Sequence, residues 1–397
     1  MNSPQPARTI SGGLSVALLL ATACASAQSQ GPSLTTIYSF GNGVWTSVIP
    51  GPGGVLYGNQ CEEPATTYSL TPPTSTGGSW TVATLYSFSG PCASGLGIGR
   101  AGELYGTTKT GIYKLAPPTS AGGAWTYELL YDFNSGKYGS AISNGVVVGP
   151  EGVLYGSTHT DSGTIYSLTP PKAPGGAWAY ATLYTFTGGS DGSGPAGLMV
   201  GPHGILIGTT NSGALGYGTA YSLAPPNSPG GSWVFATLYS FTGADGALPS
   251  GLVFGKGGVL YGSLYNGVSP ACIGCGAVFS LTPPGSPGGS WTYATIYSFP
   301  TSAGGEFPSP VVAGPEGTLF GTTGSGGTFG TGTIFVLAPP ASAAGSWTET
   351  TLWTFADGGA SAYPEGSLFF GPGGSLYGMT FNVGIGFESG TVYSFTP

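Results

Sequence analysis

Apolar and polar positions alternate with a period of two residues along a segment that recurs through the chain. In its fifth occurrence every second position carries one of the larger residues Trp291, Tyr293, Thr295, Tyr297 and Phe299, and other residues stand between them. This period is that of a β-strand, whose successive side chains point to opposite faces. The segment therefore predicts a strand, labelled d, with these five side chains on one face.

Three shorter segments precede every strand d except the first. In the fifth unit they predict strand a at 251–254, strand b at 259–263 and strand c at 277–281. The phenylalanine that ends strand d recurs every 45 to 58 residues, at Phe40, Phe88, Phe133, Phe186, Phe241, Phe299 and Phe355. Units of this length with four strands are typical of β-propeller blades.

The two ends of the repeat region complement each other. Residues 33–40 read as a strand d with no a, b or c before it, and residues 391–395 read as a strand c with no d after it. We therefore predict an all-β, seven-bladed β-propeller in which the N-terminal strand completes the last blade. This closure hides a sheet edge. The propeller would form one domain over residues 28–397.

The connections between strands differ in how much they vary. Strand-c aromatic and strand-d tryptophan are always 12 residues apart, as from Tyr68 to Trp80, and the a–b turn keeps a Gly-x-x-Gly pattern. From the strand-b aromatic to the strand-c aromatic the spacing runs from 8 to 18 residues. The b–c and d–a connections would share one face of the ring, which we predict to be the functional face because binding residues concentrate on loops held by a rigid scaffold. Neutral drift of these loops is the alternative.

Aromatic residues in the variable connections are candidate ligand contacts. The strand-d tryptophans, such as Trp80, are expected to pack between blades. Flat rings beside Asn, Asp and Glu side chains can stack on sugars while polar groups bind hydroxyls. The candidates are Trp45, Tyr138, Tyr217, Tyr265, Phe307, Phe329, Tyr363 and Phe381.

Acidic residues recur on the same connections. Asp191, Asp245 and Asp357 each precede glycine, with Glu306 nearby, and turn formation explains this pattern. Calcium binding is the alternative, but one carboxylate per blade is too few for a full site. His159 and Asp161 could begin a catalytic dyad, although a solvated loop is the favoured interpretation. We expect no catalytic residue, no bound metal and no cofactor, and we keep the acidic residues and His159 as binding candidates.

Composition restricts the classes of partner. Charged residues make up 6% of the chain, with 7 Lys and Arg against 15 Asp and Glu, which excludes a basic nucleic-acid footprint. No apolar run after the N-terminal region approaches the length needed to span a bilayer. We expect a monomer that meets a protein or a glycan at the cell surface.

The N-terminal residues and the cysteines indicate export. An apolar run from Ile10 to Ala23 precedes Ala25-Ser26-Ala27, which predicts a signal peptide over residues 1–27, with lipidation at Cys24 as the minor alternative. The cysteines that remain are Cys61, Cys92, Cys272 and Cys275. An even number in an exported chain suggests disulfides, with a local Cys272–Cys275 bond expected and a Cys61–Cys92 bond plausible.

The repeat resembles a known one. The runs Leu238–Gly246, Leu260-Tyr-Gly262 and Gly276–Leu281 are similar to the bacterial GloVer-type tandem repeat of exported choice-of-anchor proteins. The resemblance covers residues 34–397 and implies an extracellular propeller, with no reaction to carry over and no anchor expected after Pro397. We therefore predict a secreted, non-catalytic binding module, with a carbohydrate-binding propeller as the second hypothesis and a secreted polysaccharide hydrolase or lyase as the third.

Overall fold

The structure of the chain is a computed structural model. It describes residues 31–40, 48–60, 64–75, 77–89, 94–108, 110–120, 122–133, 142–173, 175–228, 230–267, 274–286, 288–299, 304–342, 345–356, 362–384 and 387–397. Side chains are also left out of the description at residues 94, 142–144, 382–384 and 387–389.

The described strands form seven antiparallel sheets, one per blade. The first three blades contain β2 (Ile49–Pro50), β3 (Leu56–Gln60), β4 (Thr66–Thr71) and β5 (Thr81–Ser87); β6 (Ser94–Ile98), β7 (Leu104–Thr107), β8 (Gly111–Ala116) and β9 (Thr126–Asp132); and β10 (Ile142–Val148), β11 (Leu154–Thr158), β12 (Thr164–Thr169) and β13 (Ala179–Thr185). Blades 4 and 5 contain β14 (Ser193–Val200), β15 (Leu206–Ser212), β16 (Thr219–Ala224) and β17 (Val234–Ser240), then β18 (Ala247–Phe254), β19 (Leu260–Asn266), β20 (Ala277–Thr282) and β21 (Thr292–Ser298). Blade 6 contains β22 (Glu306–Pro308), β23 (Val312–Ala313), β24 (Leu319–Ser325), β25 (Thr333–Ala338) and β26 (Thr348–Thr354).

Blade 7 closes the ring as the sequence predicts. It combines β27 (Pro364–Phe370), β28 (Leu376–Gly384) and β29 (Phe387–Thr396) with the N-terminal β1 (Ser33–Phe40). β1 runs antiparallel to β29, from the Ser33–Thr396 pair to the Phe40–Gly390 pair. The all-β, seven-bladed propeller with N-terminal closure is therefore confirmed.

Strand a of blade 6 is divided into two pieces. β22 and β23 both pair with β24, and Ser309 and Pro310 lie between them. Proline has no N–H for the ladder, which accounts for the interruption at Pro310. The neighbouring Ser309 remains anchored, because its N–H donates to the Thr322 carbonyl at 2.9 Å.

Strand d carries a β-bulge, and it changes the prediction that five of its side chains share one face. In blade 5 Tyr297 pairs with Val278 whereas Thr295 pairs with Phe279, so Ile296 is the extra residue. A bulge reverses the facing of the residues beyond it. The prediction of a single face was therefore wrong, because the period of two is interrupted at the bulge.

The bulge sends aromatic rings toward both neighbouring blades. Tyr239, at the end of strand d in blade 4, stacks on Tyr293 of blade 5 with ring centroids 4.7 Å apart. Phe241 meets the same ring edge-on at 5.9 Å. Trp347, at the start of strand d in blade 6, contacts Tyr261 of blade 5 edge to face, with ring centroids 5.7 Å apart. The predicted packing of strand-d tryptophans between blades is confirmed, and the rings fasten each blade to the next.

Inside a blade, a glycine of strand b lies opposite an aromatic residue of strand c. Gly156 pairs with Tyr166, and a Cβ atom at Gly156 would overlap the Tyr166 ring. The Tyr166 ring is fully buried, and its hydroxyl has no hydrogen-bond partner. Burial raises the pKa of this tyrosine, so the ring stays neutral. The core of each blade thus depends on a close approach that only glycine permits.

Candidate functional site

The two faces of the ring differ in the described residues. On one face, called the underside, six a–b connections are single 3₁₀ turns, at Pro52–Gly54, Pro150–Gly152, Pro202–Gly204, Lys256–Gly258, Pro315–Gly317 and Pro372–Gly374. His203 lies in one of these turns. The opposite face, called the variable face, holds the b–c and d–a connections, where the candidate ligand contacts were predicted.

The strands a surround a central cavity of about 800 Å³. Its wall consists mainly of glycine and aliphatic residues from strands a, including Leu96, Val146 and Leu252. Glycine is required here by crowding, since a Cβ at Gly145 would overlap the Gly95 backbone of the preceding blade. Among the described residues, the polar side chains of the wall are uncharged: Ser157, Asn211, Ser250, Tyr265 and Ser367. The cavity can therefore accept an uncharged ligand with apolar surface.

An aromatic pair stands at the mouth of this cavity. Tyr265 is the second-to-last residue of strand b in blade 5, lines the cavity and is 45% exposed. Its ring stacks on Phe307 of blade 6, with centroids 4.5 Å apart and planes 28° apart. The Phe307 ring lies directly against the Gly274 backbone, where a Cβ would overlap it. The Tyr265 ring is thus exposed to solvent and is held in place by its stacking on Phe307.

The residue before the proline of strand a has an unusual backbone in four blades. Phe307, Leu248 and Tyr363 have φ of 54°, 56° and 54°, and each precedes a proline. Positive φ is a genuine outlier for bulky residues. Blade 4 has Gly194 at this position, with φ of 64°.

Asp191 and Asp245 hold their own d–a loops. The Asp191 carboxylate accepts hydrogen bonds from Thr187 N–H at 2.7 Å and Thr187 Oγ1 at 2.6 Å. It also accepts one from Tyr184 Oη at 3.0 Å. Asp245 has the same arrangement, with Tyr239 Oη and Thr242 as donors. Both carboxylates act in loop structure, as the turn interpretation of the sequence predicts.

The hydrogen bonds to Asp191 predict a pH-dependent contribution to stability. Desolvation raises the pKa of Asp191, but the hydrogen bonds from Thr187 and Tyr184 outweigh it and hold the pKa below its usual value. A depressed pKa contributes stability that is present above the unfolded-state value of about 3.9 and is lost as pH falls through the folded value. Asp191→Asn should lower the free energy of unfolding by about 1.5–3 kcal/mol at pH 7, because hydrogen bonds to a charged group are lost.

Urea unfolding at pH 7 and at pH 3 would measure this effect. The difference between Asp191→Asn and the unsubstituted protein should shrink at pH 3. Asp161→Asn is the control, since Asp161 is an exposed aspartate on the same face. An equal difference at both pH values would show that the Asp191 charge contributes nothing.

His159 and Asp161 sit on the b–c connection of blade 3. His159 Nε2 lies 3.1 Å from the Pro195 carbonyl oxygen of blade 4. Asp161 is exposed and adopts φ of 55°, the left-handed conformation of a turn residue. In blade 6 the Glu306 carboxylate accepts a hydrogen bond from Ser325 Oγ at 2.8 Å. In the residues that the structure describes, no cluster of three or more His, Cys, Asp or Glu could hold a metal ion.

The other candidates fall in three groups. Tyr217, Phe329 and Tyr363 are exposed on the variable face. Phe381 is only 7% exposed, so its ring packs inside the molecule and cannot meet a ligand at the surface as expected. The remaining predicted residues lie outside the described ones: Trp45, Tyr138, Asp357, Cys61, Cys92 and Cys272.

Cys275 is buried and takes part in a disulfide. Because the other three cysteines are not described, the predicted pairings stay predictions.

Two cavity residues escaped the sequence analysis. Asn211 is the second-to-last residue of strand b in blade 4 and lies beside Gly194, and Leu248 precedes Pro249. Strand a of blade 5 was predicted to begin at residue 251, but it begins at Ala247. The missed signal was the proline two positions before the Gly-Leu or Pro-Val of strand a, which marks the cavity mouth. Equivalent positions at the end of strand b carry His159, Asn211, Tyr265, Gly324 and Phe381.

Solved structures share this architecture. A streptogramin B lyase is 17% identical and matches 92% of this chain and 97% of its own, with a TM-score of 0.55. The extracellular domain of a one-component system, BT4673, of B. thetaiotaomicron is 12% identical, with a TM-score of 0.53 over 92% of this chain and 42% of that chain. At these identities the likeness shows the fold alone. No helix in the described part of the chain is long and apolar enough to cross a membrane.

Sequence comparison identifies the repeat itself. No curated protein has a sequence that matches this chain. The profile of the Gloeobacter/Verrucomicrobia repeat matches residues 46–272 and 212–397, so it spans all seven blades apart from the N-terminal strand. The resemblance drawn from the repeated runs is confirmed, and the chain belongs to the Gloeobacter/Verrucomicrobia repeat family.

Proposed function

We propose that this chain is an exported, non-catalytic binding protein whose ligand contacts the variable face at the mouth of the central cavity. One observation carries the proposal: a cavity of about 800 Å³ is surrounded by strands a and is lined by uncharged side chains. Concave sites with apolar walls and a few placed polar groups are the usual form of ligand sites.

The state of Asp191 and Asp245 supports binding rather than catalysis by these two residues. A catalytic carboxylate must be free to exchange a proton or to attack a substrate. The Asp191 and Asp245 carboxylates accept hydrogen bonds from the threonines and tyrosines of their own loops instead. Among the described residues of the cavity wall there is no Asp, Glu, His, Cys, Lys or Arg.

Export is supported by the leader-like residues 1–27 and by the disulfide at Cys275, because disulfides persist in oxidising compartments. The ligand would accordingly be met outside the cytoplasm, as a free molecule or as part of a cell surface.

An array that carries neutral glycans, acidic glycans and peptides of either charge would test the function. We expect at least one class to bind, and Asn211→Arg to weaken that binding at least tenfold by placing a long cation at the cavity mouth. Ser286→Arg is the matched control, because Ser286 is exposed on the c–d turn of the underside. The bound compound should be recovered intact by mass spectrometry.

Two results would overturn the proposal. If Asn211→Arg and Ser286→Arg changed the affinity equally, the variable face would not be the binding site. Cleavage of an array compound that Asn211→Arg abolishes would make the protein an enzyme.

A further inference from the structure

The residue before the strand-a proline makes the same contact in four blades. Its N–H donates to a carbonyl of the preceding blade, and the distances lie between 2.8 and 3.1 Å. The bonds run from Gly194 to Ser162, Leu248 to Tyr217, Phe307 to Gly274 and Tyr363 to Thr331. The fold therefore needs positive φ here, and glycine in blade 4 meets that need without strain.

Three blades nevertheless carry bulky side chains at this position. Leu248, Phe307 and Tyr363 hold a left-handed backbone that disfavours any residue with a Cβ. Such strain persists where the surroundings over-determine it, and it concentrates at ligand-binding sites. Leu248 lines the cavity, and Phe307 supports the exposed Tyr265 ring. At Leu248 and Phe307 the strain thus coincides with the apolar surface of the mouth.

Charge restricts what this surface can bind. The described acidic residues that belong to the variable face include Asp161, Asp245, Glu306 and Glu365. Of the described cationic residues, Arg100, Lys172 and Lys256 lie on underside turns, and Lys114 forms an ion pair with Glu128. An anionic ligand would meet like charge here and no described Lys or Arg.

The polar groups at the mouth are suited to hydroxyls. The Asn211 amide can donate two hydrogen bonds and accept two, and Ser157 and Ser250 add neutral hydroxyl groups to the wall. An uncharged ligand with one apolar face and many hydroxyls matches both the aromatic ring and these amphoteric groups.

We propose that the cavity mouth of blades 4 to 6 is a subsite for one ring of a neutral oligosaccharide. The C–H face of the sugar would stack on the exposed face of Tyr265, which Phe307 supports from the next blade. Asn211 would bind the sugar hydroxyls, and Leu248 would form the apolar side of the subsite. This inference rests on the proposed binding function and names its ligand class.

Titration calorimetry with neutral hexose oligosaccharides would test the subsite, with the corresponding uronic acid oligosaccharides as the charged comparison. The unsubstituted protein should bind at least one neutral series and should bind its acidic counterpart at least tenfold more weakly. Tyr265→Ala should weaken the neutral ligand at least tenfold. Val234→Ala is the control, an exposed apolar residue at the start of strand d of blade 4 that is not part of the cavity wall, and it should leave affinity unchanged.

Phe307→Gly separates recognition from structure. It removes the ring that supports Tyr265 and relieves the positive-φ strain, so affinity should fall while the midpoint of thermal unfolding does not. A fall in both quantities would make Phe307 a structural residue and would overturn the argument from strain.

The outcomes distinguish this inference from the function on which it rests. If neutral oligosaccharides fail to bind but a peptide binds and responds to Asn211→Arg, the sugar subsite is wrong and the binding function stands. If an acidic oligosaccharide binds more tightly than its neutral counterpart, the charge argument is wrong. If no array compound depends on the variable face, both proposals fail.

Discussion

A chain that starts at residue 41 is expected to lose about 3–6 kcal/mol of its free energy of unfolding. β1 buries Ile37 and Phe40, and burial of each such side chain contributes roughly 1.5–3 kcal/mol. The shortened chain also loses the ladder with β29 and leaves that strand as a sheet edge. Because domains are stable by about 5–15 kcal/mol, this loss would remove much of the total.

Urea unfolding followed by tryptophan fluorescence would measure the loss, and size-exclusion chromatography would reveal association through the open edge. A synthetic peptide of residues 33–40 should restore part of the stability when it is added to the shortened chain. Thr35→Ala in the full chain is the control, because Thr35 is exposed on the same strand. Closure would contribute nothing to stability if the shortened chain unfolded at the same urea concentration as the full chain and if the added peptide did not change that concentration.

Gly156→Ala is expected to destabilise the protein by about 1–3 kcal/mol, which is the usual cost of overpacking a core. The added methyl group would overlap the Tyr166 ring, which is fully buried. Chemical denaturation monitored by circular dichroism would give the difference.

The control for this substitution is Gly285→Ala. Gly285 lies on an exposed underside turn, and a Cβ there would meet no atom within 4 Å. It should be neutral or slightly stabilising, because alanine reduces the freedom of the unfolded chain. Equal effects at Gly156 and Gly285 would show that the contact between strands b and c is looser than described.

The repeat made the architecture predictable, because each blade reuses the same local signals. The strand-d tryptophans, the constant spacing from Tyr68 to Trp80 and the unpaired strands at the two ends fix the number of blades and their closure. The bulge at Ile296 was not predictable, since an extra residue leaves the alternation of the sequence unchanged.

The site was harder to predict because it depends on backbone conformation and on neighbouring blades. Tyr265 and Phe307 were candidates as separate loop aromatics, but only the folded ring stacks them. Asn211 and Leu248 were missed, because neither is aromatic and the positive φ of Leu248 is accompanied in the sequence only by the proline that follows it. Phe381 has the same residue type as the exposed candidates and differs from them only in burial.

The strand-d bulge has a consequence for how the molecule comes apart. In open repeat arrays, unfolding starts by fraying of the terminal repeats, which have one neighbour each. Here aromatic rings join every blade to both of its neighbours, as Tyr239 and Phe241 of blade 4 contact Tyr293 of blade 5. Because β1 pairs with β29 and closes the ring, no blade is left at an end with a single neighbour. A ring built in this way has no weakest end, so the seven sheets should unfold together as one cooperative unit despite their modular sequence.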